Sequence, residues 1–230
     1  MSSHSWDVLA RLPLQPSADM MTLAESRRSG DPVARPALSA SVILLRESRA
    51  GLETYLLHRH ARMPFAASAV VFPGGRVDAA DVAAGSDPAR ACALRETAEE
   101  TGVQLKSDDL VPWAHWVTPE PEPRRYDTHF FLAALPAGQQ AQDVSGETDH
   151  AAWELPASAL AAADGGDIAL MPPTRSILLE LADARSVREL LDAATGRVIE
   201  CVLPQMIKTE SGWTLRYPIR PGKGRSADDQ

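Results

Sequence analysis

The chain has 230 residues, of which 44 % are hydrophobic and 23 % charged, and its formal net charge is −8. This composition is typical of a globular protein whose apolar core needs no disulfide or structural metal. The acidic balance excludes a typical nucleic-acid-binding surface, which requires a surplus of Lys and Arg. No apolar run approaches the ~18 residues of a membrane span. An anionic small molecule stays compatible with this charge, because a divalent cation inverts the local charge of an acidic site.

The two cysteines, Cys92 and Cys201, lie outside any redox or metal-ligand motif. We interpret both as buried free thiols, the usual state of a cysteine without a partner. The N-terminal residues do not combine a charged start with an apolar block, so no secretory signal is visible. The sequence therefore predicts a cytoplasmic protein.

Three segments are predicted along the chain. Residues 1–37 mix Pro, Ser, Arg and Asp without sustained periodicity, which indicates an arm that lies on the domain without defining it. Residues 38–196 contain the strong strand and helix patterns, and residues 197–230 form a C-terminal strand extension and tail. Strands before, around and after one central helix indicate an α/β domain with a mixed sheet.

The domain begins with a predicted β-hairpin. Leu38–Leu45 and Glu53–His58 are typical of strands, and Ser48–Gly51 supplies the turn between them. A third strand, Ala69–Phe72, closes on Pro73-Gly74-Gly75. Such a loop indicates backbone conformations or close approaches that only Gly tolerates.

The central helix is predicted from Asp87-Pro88 to Thr101, after a small-residue loop at residues 82–88. Asp is a good N-cap, Pro fits the first turn, and Gly102 ends the helix. The predicted apolar stripe consists of Ala91, Leu94, Ala98 and Thr101. Later strands are predicted at Val111–Thr118, Tyr126–Ala133, Ala151–Glu154, Val198–Val202 and Thr214–Tyr217, and later helices at Arg175–Leu181 and Val187–Ala194.

Three carboxylates share one face of this helix. At about 100° per residue, Glu96 and Glu100 lie about 40° apart and Glu99 about 60° away on the other side. Like charges at this spacing repel, and the helix dipole disfavours anions near its C-terminus. A hard divalent cation such as Mg²⁺ explains the arrangement, because it prefers oxygen ligands. The alternative is a solvated acidic face in which Arg95 and Glu99 form a simple i,i+4 pair.

The stretch resembles a Nudix box. Gly75 is followed by five residues, Asp81, thirteen residues and then Arg95-Glu96-Thr97-Ala98-Glu99-Glu100-Thr101-Gly102-Val103. The second half departs from the family pattern only at Thr97, where an apolar residue is usual. In the first half Asp81 replaces Glu, and the loop before the helix has six extra residues. The resemblance implies an α/β/α sandwich with a mixed β-sheet and the catalytic helix after a Gly-Gly loop.

The resemblance also implies a chemistry and its residues. The carboxylates of Glu96, Glu99 and Glu100, with the carbonyl of Gly74, would bind Mg²⁺ or Mn²⁺, and Arg95 would orient Glu96. The reaction is attack of water on a diphosphate that links a nucleoside to another moiety. Further candidates are the carboxylate of Glu147 for catalysis, and Arg59, Gly74 and Gly75 for substrate binding.

Tyr55–Arg59 running into Phe72-Pro73-Gly74-Gly75 is similar to the coenzyme A and acyl-coenzyme A diphosphatase branch of the family. This resemblance makes coenzyme A or an acyl-coenzyme A the expected substrate. The alternatives are a pyrophosphatase for ADP-ribose, dinucleotides or nucleoside triphosphates, and a nucleotide-sensing Nudix module without hydrolysis. The family resemblance also suggests a homodimer. The acidic charge and the lack of a long apolar run predict that neither nucleic acid nor a membrane is a partner.

Other polar and aromatic residues leave two interpretations each. Asp127 and His129 share a strand face, as a substrate-side pair or as hydrogen-bonded sheet positions. Trp113 and Trp116 either stack on a base or belong to the core. Arg124-Arg125 either grips a phosphate or is exposed loop charge.

Overall fold

The computed structural model describes residues 5–28, 30–59, 69–144 and 148–218, with the side chains of residues 5, 6, 59, 148 and 149 outside this description. The helices are α1 (Ser5–Leu9), α2 (Ala18–Ser26), α3 (Ala79–Ala83), α4 (Pro88–Thr101), α5 (Pro156–Gly165), α6 (Pro172–Ala182) and α7 (Val187–Ala194). The strands are β1 (Ala37–Ser48), β2 (Gly51–Arg59), β3 (Ala69–Val71), β4 (Gly74–Arg76), β5 (Val111–Val117), β6 (Tyr126–Ala134), β7 (Thr148–Glu154), β8 (Ala169–Leu170), β9 (Cys201–Val202), β10 (Gln205–Thr209) and β11 (Gly212–Arg216). Among the described residues, no helix is long and apolar enough to cross a membrane.

One mixed sheet has the strand order β8-β3-β2-β1-β6-β5-β9, and β10 and β11 form a separate hairpin. Strand β1 pairs antiparallel with β2 and parallel with β6, the latter from Ala37 opposite Tyr126 to Leu45 opposite Ala134. Strand β4 pairs with the start of β1, and β7 pairs with β2. The predicted first hairpin and the mixed sheet are confirmed.

The central strand β1 buries both of its faces. Val42 and Leu44 pack in the cluster that includes α4, whereas Ile43 and Leu45 pack in the cluster that includes α6. Successive side chains of a strand point to opposite faces, so a continuous apolar run is the pattern of a strand covered on both sides. Helices on both faces of a mixed sheet form the predicted α/β/α sandwich.

Helix α4 begins and ends as predicted but buries another face. The Asp87 side chain accepts the backbone N–H of Arg90, and Gly102 ends the helix with a left-handed φ of 73°. Ala91, Leu94 and Ala98 of the predicted stripe are partly exposed. The buried residues are Ala89, Cys92, Ala93, Thr97, Glu100 and Thr101. Most of these side chains are small, so the buried and exposed faces of α4 differ little in hydrophobicity. Packing against β1 decides which face is buried.

The N-terminal residues contain two helices that the sequence did not reveal. Val8, Leu9 and Leu12 are buried in the same apolar cluster as Ile177 of α6. Helices α1 and α2 have five and nine residues, too few for a 3.6-residue period to emerge. Their stability comes from packing on the domain, because isolated helices of this length are marginal in water.

Residues 82–88 were predicted as a loop, but residues 82 and 83 belong to α3. Asp78 caps this helix: its side chain accepts the Asp81 N–H, and the Asp81 side chain accepts the Asp78 N–H. These reciprocal bonds satisfy two backbone donors of the first turn. The short strands β4, β8 and β10 and the Ala-rich helix α5 were also not predicted, because their sequences show no clear amphipathic period.

The interpretation of both cysteines as buried is correct for Cys92 and wrong for Cys201, which is exposed. The predicted strand at residues 198–202 is reduced to Cys201–Val202 at the edge of the sheet. Side chains alternate along a strand, so the burial of Val202 leaves Cys201 on the other face.

Candidate active site

A cavity of about 570 Å³ lies at the C-terminal half of α4 and is called the carboxylate cavity below. The structure brings five of the predicted site residues to its wall. These residues are Gly74, Gly75, Glu96, Glu99 and Glu100. Three carboxylates therefore face one space that is large enough for a small-molecule ligand.

The two glycines of strand β4 allow the chain to pass close to β1 and α4. Gly74 has a φ of 156°, and a Cβ there would overlap the carbonyl oxygen of Ala40. A Cβ at Gly75 would overlap the carboxylate of Glu96. Position 74 therefore requires glycine because of the backbone of β1, whereas a side chain at position 75 would displace the carboxylate of a predicted metal ligand.

Glu100 is 9 % exposed and accepts the backbone N–H of Gly74 at 2.7 Å. This bond joins the helix to the Gly-Gly strand across 26 residues of sequence. It also orients the Glu100 carboxylate, since a charged acceptor forms a strong bond to a backbone donor. The sequence predicted a role for the Gly74 carbonyl, whereas this contact uses its N–H.

Arg95 forms hydrogen bonds to three carboxylates at once. Its Nη1 lies 2.9 Å from Glu96 Oε1 and 2.9 Å from Glu99 Oε2. Its Nε and Nη2 bind the two oxygens of Asp81 at 3.0 and 2.8 Å. Arg95 thus binds one oxygen each of Glu96 and Glu99. Its contact with Glu96 agrees with the role that the family resemblance implies for Arg95.

Asp81 is buried, with 3 % exposure, and lies outside the lining of the carboxylate cavity. The hydrogen bond from Arg95 lowers the pKa of Asp81 against the opposing effect of burial. The residue is therefore ionised and anchors Arg95, a role that the sequence did not indicate. Its signal in the sequence is the Asp78…Asp81 capping pattern, which fixes the position of the carboxylate.

Glu96 lies in a different electrostatic environment. Burial raises the pKa of Glu96, and the hydrogen bond from Arg95 acts against that rise. The charged form of this carboxylate is therefore incompletely compensated by the protein. Since its neighbours on the cavity wall are also carboxylates, these oxygens match the donor set of a hard divalent cation such as Mg²⁺ or Mn²⁺.

The rest of the wall of the carboxylate cavity is mostly apolar, and the sequence did not predict it as a whole. Trp116 is 5 % exposed and lines it, so this indole belongs to the core and the cavity wall at once. Trp113 is core, with the guanidinium of Arg197 3.8 Å from its ring centroid. Other wall residues are Met20, Glu122, Thr128, Phe130, Met171 and Leu215.

Glu122 is a carboxylate of this wall that the sequence interpretation missed. Burial and the charge of Asp19 raise the pKa of Glu122. The residue lies in the proline-rich connection of residues 119–123, which gave no sign of facing a cavity.

Arg125 is neither an exposed loop charge nor a residue of the cavity wall. It is 8 % exposed and donates hydrogen bonds to the carbonyls of Thr118 and Ala34. These bonds tie the segment before β1 to the β5–β6 connection. Its neighbour Arg124 is exposed, as one of the two interpretations held.

Asp127 and His129 lie on the sheet face opposite the carboxylate cavity. Their neighbours Thr128 and Phe130 line that cavity, and alternate residues of a strand point to opposite faces. The sheet-position interpretation therefore fits Asp127, which binds His115 at 2.5 Å. Burial and the neighbouring His115 lower the pKa of His129.

Two predicted site residues are not placed by the structure. Glu147 lies outside the described residues, and Arg59 is described only through its backbone at the end of β2. The catalytic role of Glu147 and the substrate contact of Arg59 therefore stay predictions.

Comparison with known proteins gives one consistent family. A family model described as NUDIX domain matches residues 35–172, more than half of the chain. The nudix hydrolase 7 of Caenorhabditis elegans is 28 % identical over 207 residues, which cover 74 % of this chain and 68 % of that protein. A NUDIX hydrolase structure from Alicyclobacillus acidocaldarius has a TM-score of 0.64 at 22 % identity and covers 70 % of this chain and 97 % of its own. The MutT protein structure from Bacillus halodurans has a TM-score of 0.50 at 15 % identity, with coverage of 80 % and 98 %.

Proposed function

This chain belongs to the Nudix family and is a pyrophosphohydrolase, and on this premise we propose that it cleaves coenzyme A or an acyl-coenzyme A at the diphosphate. The observation that supports the reaction is the convergence of Glu96, Glu99 and Glu100 on one cavity beside Gly74 and Gly75. Local stability does not account for such a cluster near a helix C-terminus, where both mutual repulsion and the helix dipole oppose it.

We propose Mg²⁺, or Mn²⁺ in its place, as the cofactor. The residues that would hold it are Glu96, Glu99 and Glu100, with the carbonyl of Gly74. The bound ion would activate a water and neutralise the charge that develops on the phosphoryl oxygens. The fit rests on the donor set, which is all oxygen, and on the half-buried Glu96 carboxylate, whose charge Arg95 compensates only in part.

Neighbouring residues of the protein hold the three predicted metal ligands in place. Arg95 binds one oxygen each of Glu96 and Glu99, and the Gly74 N–H binds Glu100. In the reaction the oxygen of a water forms a bond to one phosphorus, and the bridging oxygen leaves with the other phosphate. The products are two monophosphates. Fixing the carboxylates in advance lowers the reorganisation needed at the transition state.

The shape of the carboxylate cavity supports a substrate with an apolar portion attached to its diphosphate. Three carboxylates of α4 line the cavity, whereas Trp116, Phe130 and Leu215 supply apolar wall. An aromatic ring can stack on a base or pack against an aliphatic arm. The preference for coenzyme A rests on the similarity of Tyr55–Arg59 and Phe72-Pro73-Gly74-Gly75 to the coenzyme A branch. A homodimer and a cytoplasmic location stay predictions.

A substrate panel with Mg²⁺ tests the proposal. Coenzyme A, an acyl-coenzyme A, ADP-ribose, a dinucleotide and a nucleoside triphosphate are compared by kcat/KM with product identification. Release of 3′,5′-ADP from coenzyme A, at the highest kcat/KM of the panel, is the expected result. Turnover of ADP-ribose or a triphosphate without 3′,5′-ADP from coenzyme A overturns the substrate. Binding of nucleotides without turnover of any member overturns hydrolysis and supports a sensor.

The metal assignment has its own test. The double variant Glu99→Gln and Glu100→Gln is expected to lower kcat by at least ~100-fold while leaving the fold intact, because the amides preserve size but not charge. Glu210→Gln is a matched control, since Glu210 is exposed and lies outside the carboxylate cavity. Full activity in the double variant contradicts the assignment.

A further inference from the structure

We propose that His115, Asp127 and His129 form a second metal site, separate from the carboxylate cavity and suited to a transition-metal ion such as Zn²⁺. Among the described residues, these three can each offer one ligand atom such that all three atoms lie within 4.8 Å of one another. The Nε2 of His115 lies 2.5 Å from Asp127 Oδ1, and the Nε2 of His129 lies 3.8 Å from the same oxygen. They are called the His–Asp–His cluster below.

The register of two strands holds this cluster together. His115 on β5 is directly opposite His129 on β6, and Val117 is opposite Asp127. Asp127 and His129 are two residues apart on β6 and so share one face. The two imidazole rings stack with their centroids 4.3 Å apart and an interplanar angle of 15°. Ligands on paired strands are held more rigidly than ligands on loops.

The cluster is independent of the proposed Mg²⁺ site. Trp116 and Phe130, which neighbour the two histidines in sequence, line the carboxylate cavity on the opposite face of the sheet. His115 and His129 instead line a second cavity of about 380 Å³ together with Asp87 and Pro88 at the start of α4. A metal at the cluster would therefore leave the carboxylate cavity unchanged.

The ligand chemistry selects the class of metal. Imidazole nitrogens favour Zn²⁺ and the later first-row ions, whereas Mg²⁺ prefers sites made of oxygen alone. Tetrahedral Zn²⁺ with bonds of about 2.0–2.1 Å places its ligand atoms about 3.3 Å apart. The measured separations of 2.5 and 3.8 Å lie on either side of that value. Small side-chain movements are therefore sufficient to bring the three ligands to a shared ion.

Cys201 lies beside this cluster and would become a fourth ligand only after its Sγ moves toward the other three atoms, because it is not among the ligand atoms that lie within 4.8 Å of one another. Strand β9 pairs parallel with β5, with Cys201 next to His115 and Val202 next to Trp116. Adjacent strands lie about 4.8 Å apart, so the exposed Cys201 side chain is on the face of the cluster. After that movement its thiolate would complete a set of two nitrogens, one oxygen and one sulfur, each a ligand type that Zn²⁺ accepts.

The test measures binding of Zn²⁺ to the full chain, freed of any histidine tag and of metal by dialysis against a chelator. Wild type is expected to bind one Zn²⁺ at this site with a dissociation constant below ~1 μM in competition with a chromophoric chelator. His115→Asn and His129→Asn are each expected to weaken Zn²⁺ binding at least 10-fold. The double variant Glu99→Gln and Glu100→Gln is expected to bind Zn²⁺ at this site with wild-type affinity. Thermal unfolding without metal controls for the fold of each variant.

His150→Asn is the matched control, because His150 is exposed and lies outside the cluster. Wild-type affinity in His129→Asn, or equal losses in His129→Asn and His150→Asn, overturns the site. Substitution with Co²⁺ tests the fourth ligand: a thiolate-to-cobalt charge-transfer band that disappears in Cys201→Ser supports it. A Co²⁺ complex without that band overturns the role of Cys201. The three-residue site is then tested by the Zn²⁺ affinities of the histidine variants alone.

Discussion

Arg95 holds both side-chain oxygens of Asp81, with Nε 3.0 Å from Oδ1 and Nη2 2.8 Å from Oδ2. The two residues are 14 apart in sequence and meet because α3 and α4 pack against each other. The same guanidinium contacts Glu96 and Glu99, so the buried Asp81 determines where those two carboxylates are held. Asp81 is therefore a positioning residue for the carboxylate cavity, although it does not line it.

Asp81→Asn is expected to lower the free energy of unfolding by about 2–4 kcal/mol, because it removes the charged partner of Arg95 at a buried position. We also expect kcat to fall about 10-fold, since Arg95 loses the contact that orients it. Urea unfolding and steady-state turnover measure the two effects. Asp192→Asn is the control: its pair with Arg188 is exposed, so the change should stay within about 0.5 kcal/mol. Equal effects of the two substitutions would contradict the positioning role.

The contribution of Asp81 depends on pH with a definite sign. Arg95 lowers the pKa of Asp81 in the folded protein, relative to a value near 3.9 in an unfolded chain. The stabilisation is fully present above the unfolded pKa and is lost as pH falls through the folded pKa. The difference in unfolding free energy between wild type and Asp81→Asn should thus be constant from pH 5 to 7 and shrink below about pH 4. A difference that stays the same down to pH 2.5 would refute the shift.

Gly75→Ala is expected to reduce kcat by roughly 100-fold with a smaller loss of stability, because its Cβ would displace the Glu96 carboxylate. The helix around Glu96 does not depend on this contact. Gly165→Ala is the matched control: a Cβ there meets only Asp167 Oδ2 at 3.5 Å, an ordinary contact. Steady-state turnover and circular dichroism of both variants measure the effects on activity and on the fold. Normal turnover in Gly75→Ala would show that activity does not depend on the observed position of the Glu96 carboxylate.

Substitution of two buried threonines of α4 is expected to affect stability to different extents. The Thr97 hydroxyl only donates to the carbonyl of Ala93 at 2.7 Å, so Thr97→Val should change stability by less than about 1 kcal/mol. The Thr101 hydroxyl donates to Thr97 O and also accepts the N–H of Val103 at 3.2 Å. Thr101→Val should therefore cost about 1–3 kcal/mol, because a buried N–H loses its partner. Urea unfolding measures both, and equal losses would rule out this difference.

Local chemistry was sufficient to predict much of the fold, whereas the reaction class was implied by the resemblance to the Nudix box. The hairpin of β1 and β2 and the bounds of α4 depend on turn residues, on the Asp87 cap and on Gly102, all of which act within a few residues. The spacing of Glu96, Glu99 and Glu100 places them on one face of any helix. These features depend on interactions between residues close in sequence, so they could be predicted from the sequence.

Other features depend on contacts between distant segments. Thr97 departs from the family pattern, yet it is fully buried because packing against β1 selects that face of α4. Asp81 needs α3 to bring it to Arg95, and the burial of Arg125 needs the carbonyl of Ala34. Sequence periodicity does not encode such partners.

The Nudix carboxylates thus follow from the sequence alone, because a helix fixes the direction of each side chain from its position. The Arg95–Asp81 anchor, the apolar wall and the His–Asp–His cluster were decided only by the tertiary structure. Their residues come from different strands and helices, and the register of the β5–β6 pair and the packing of α3 on α4 determine which of them meet.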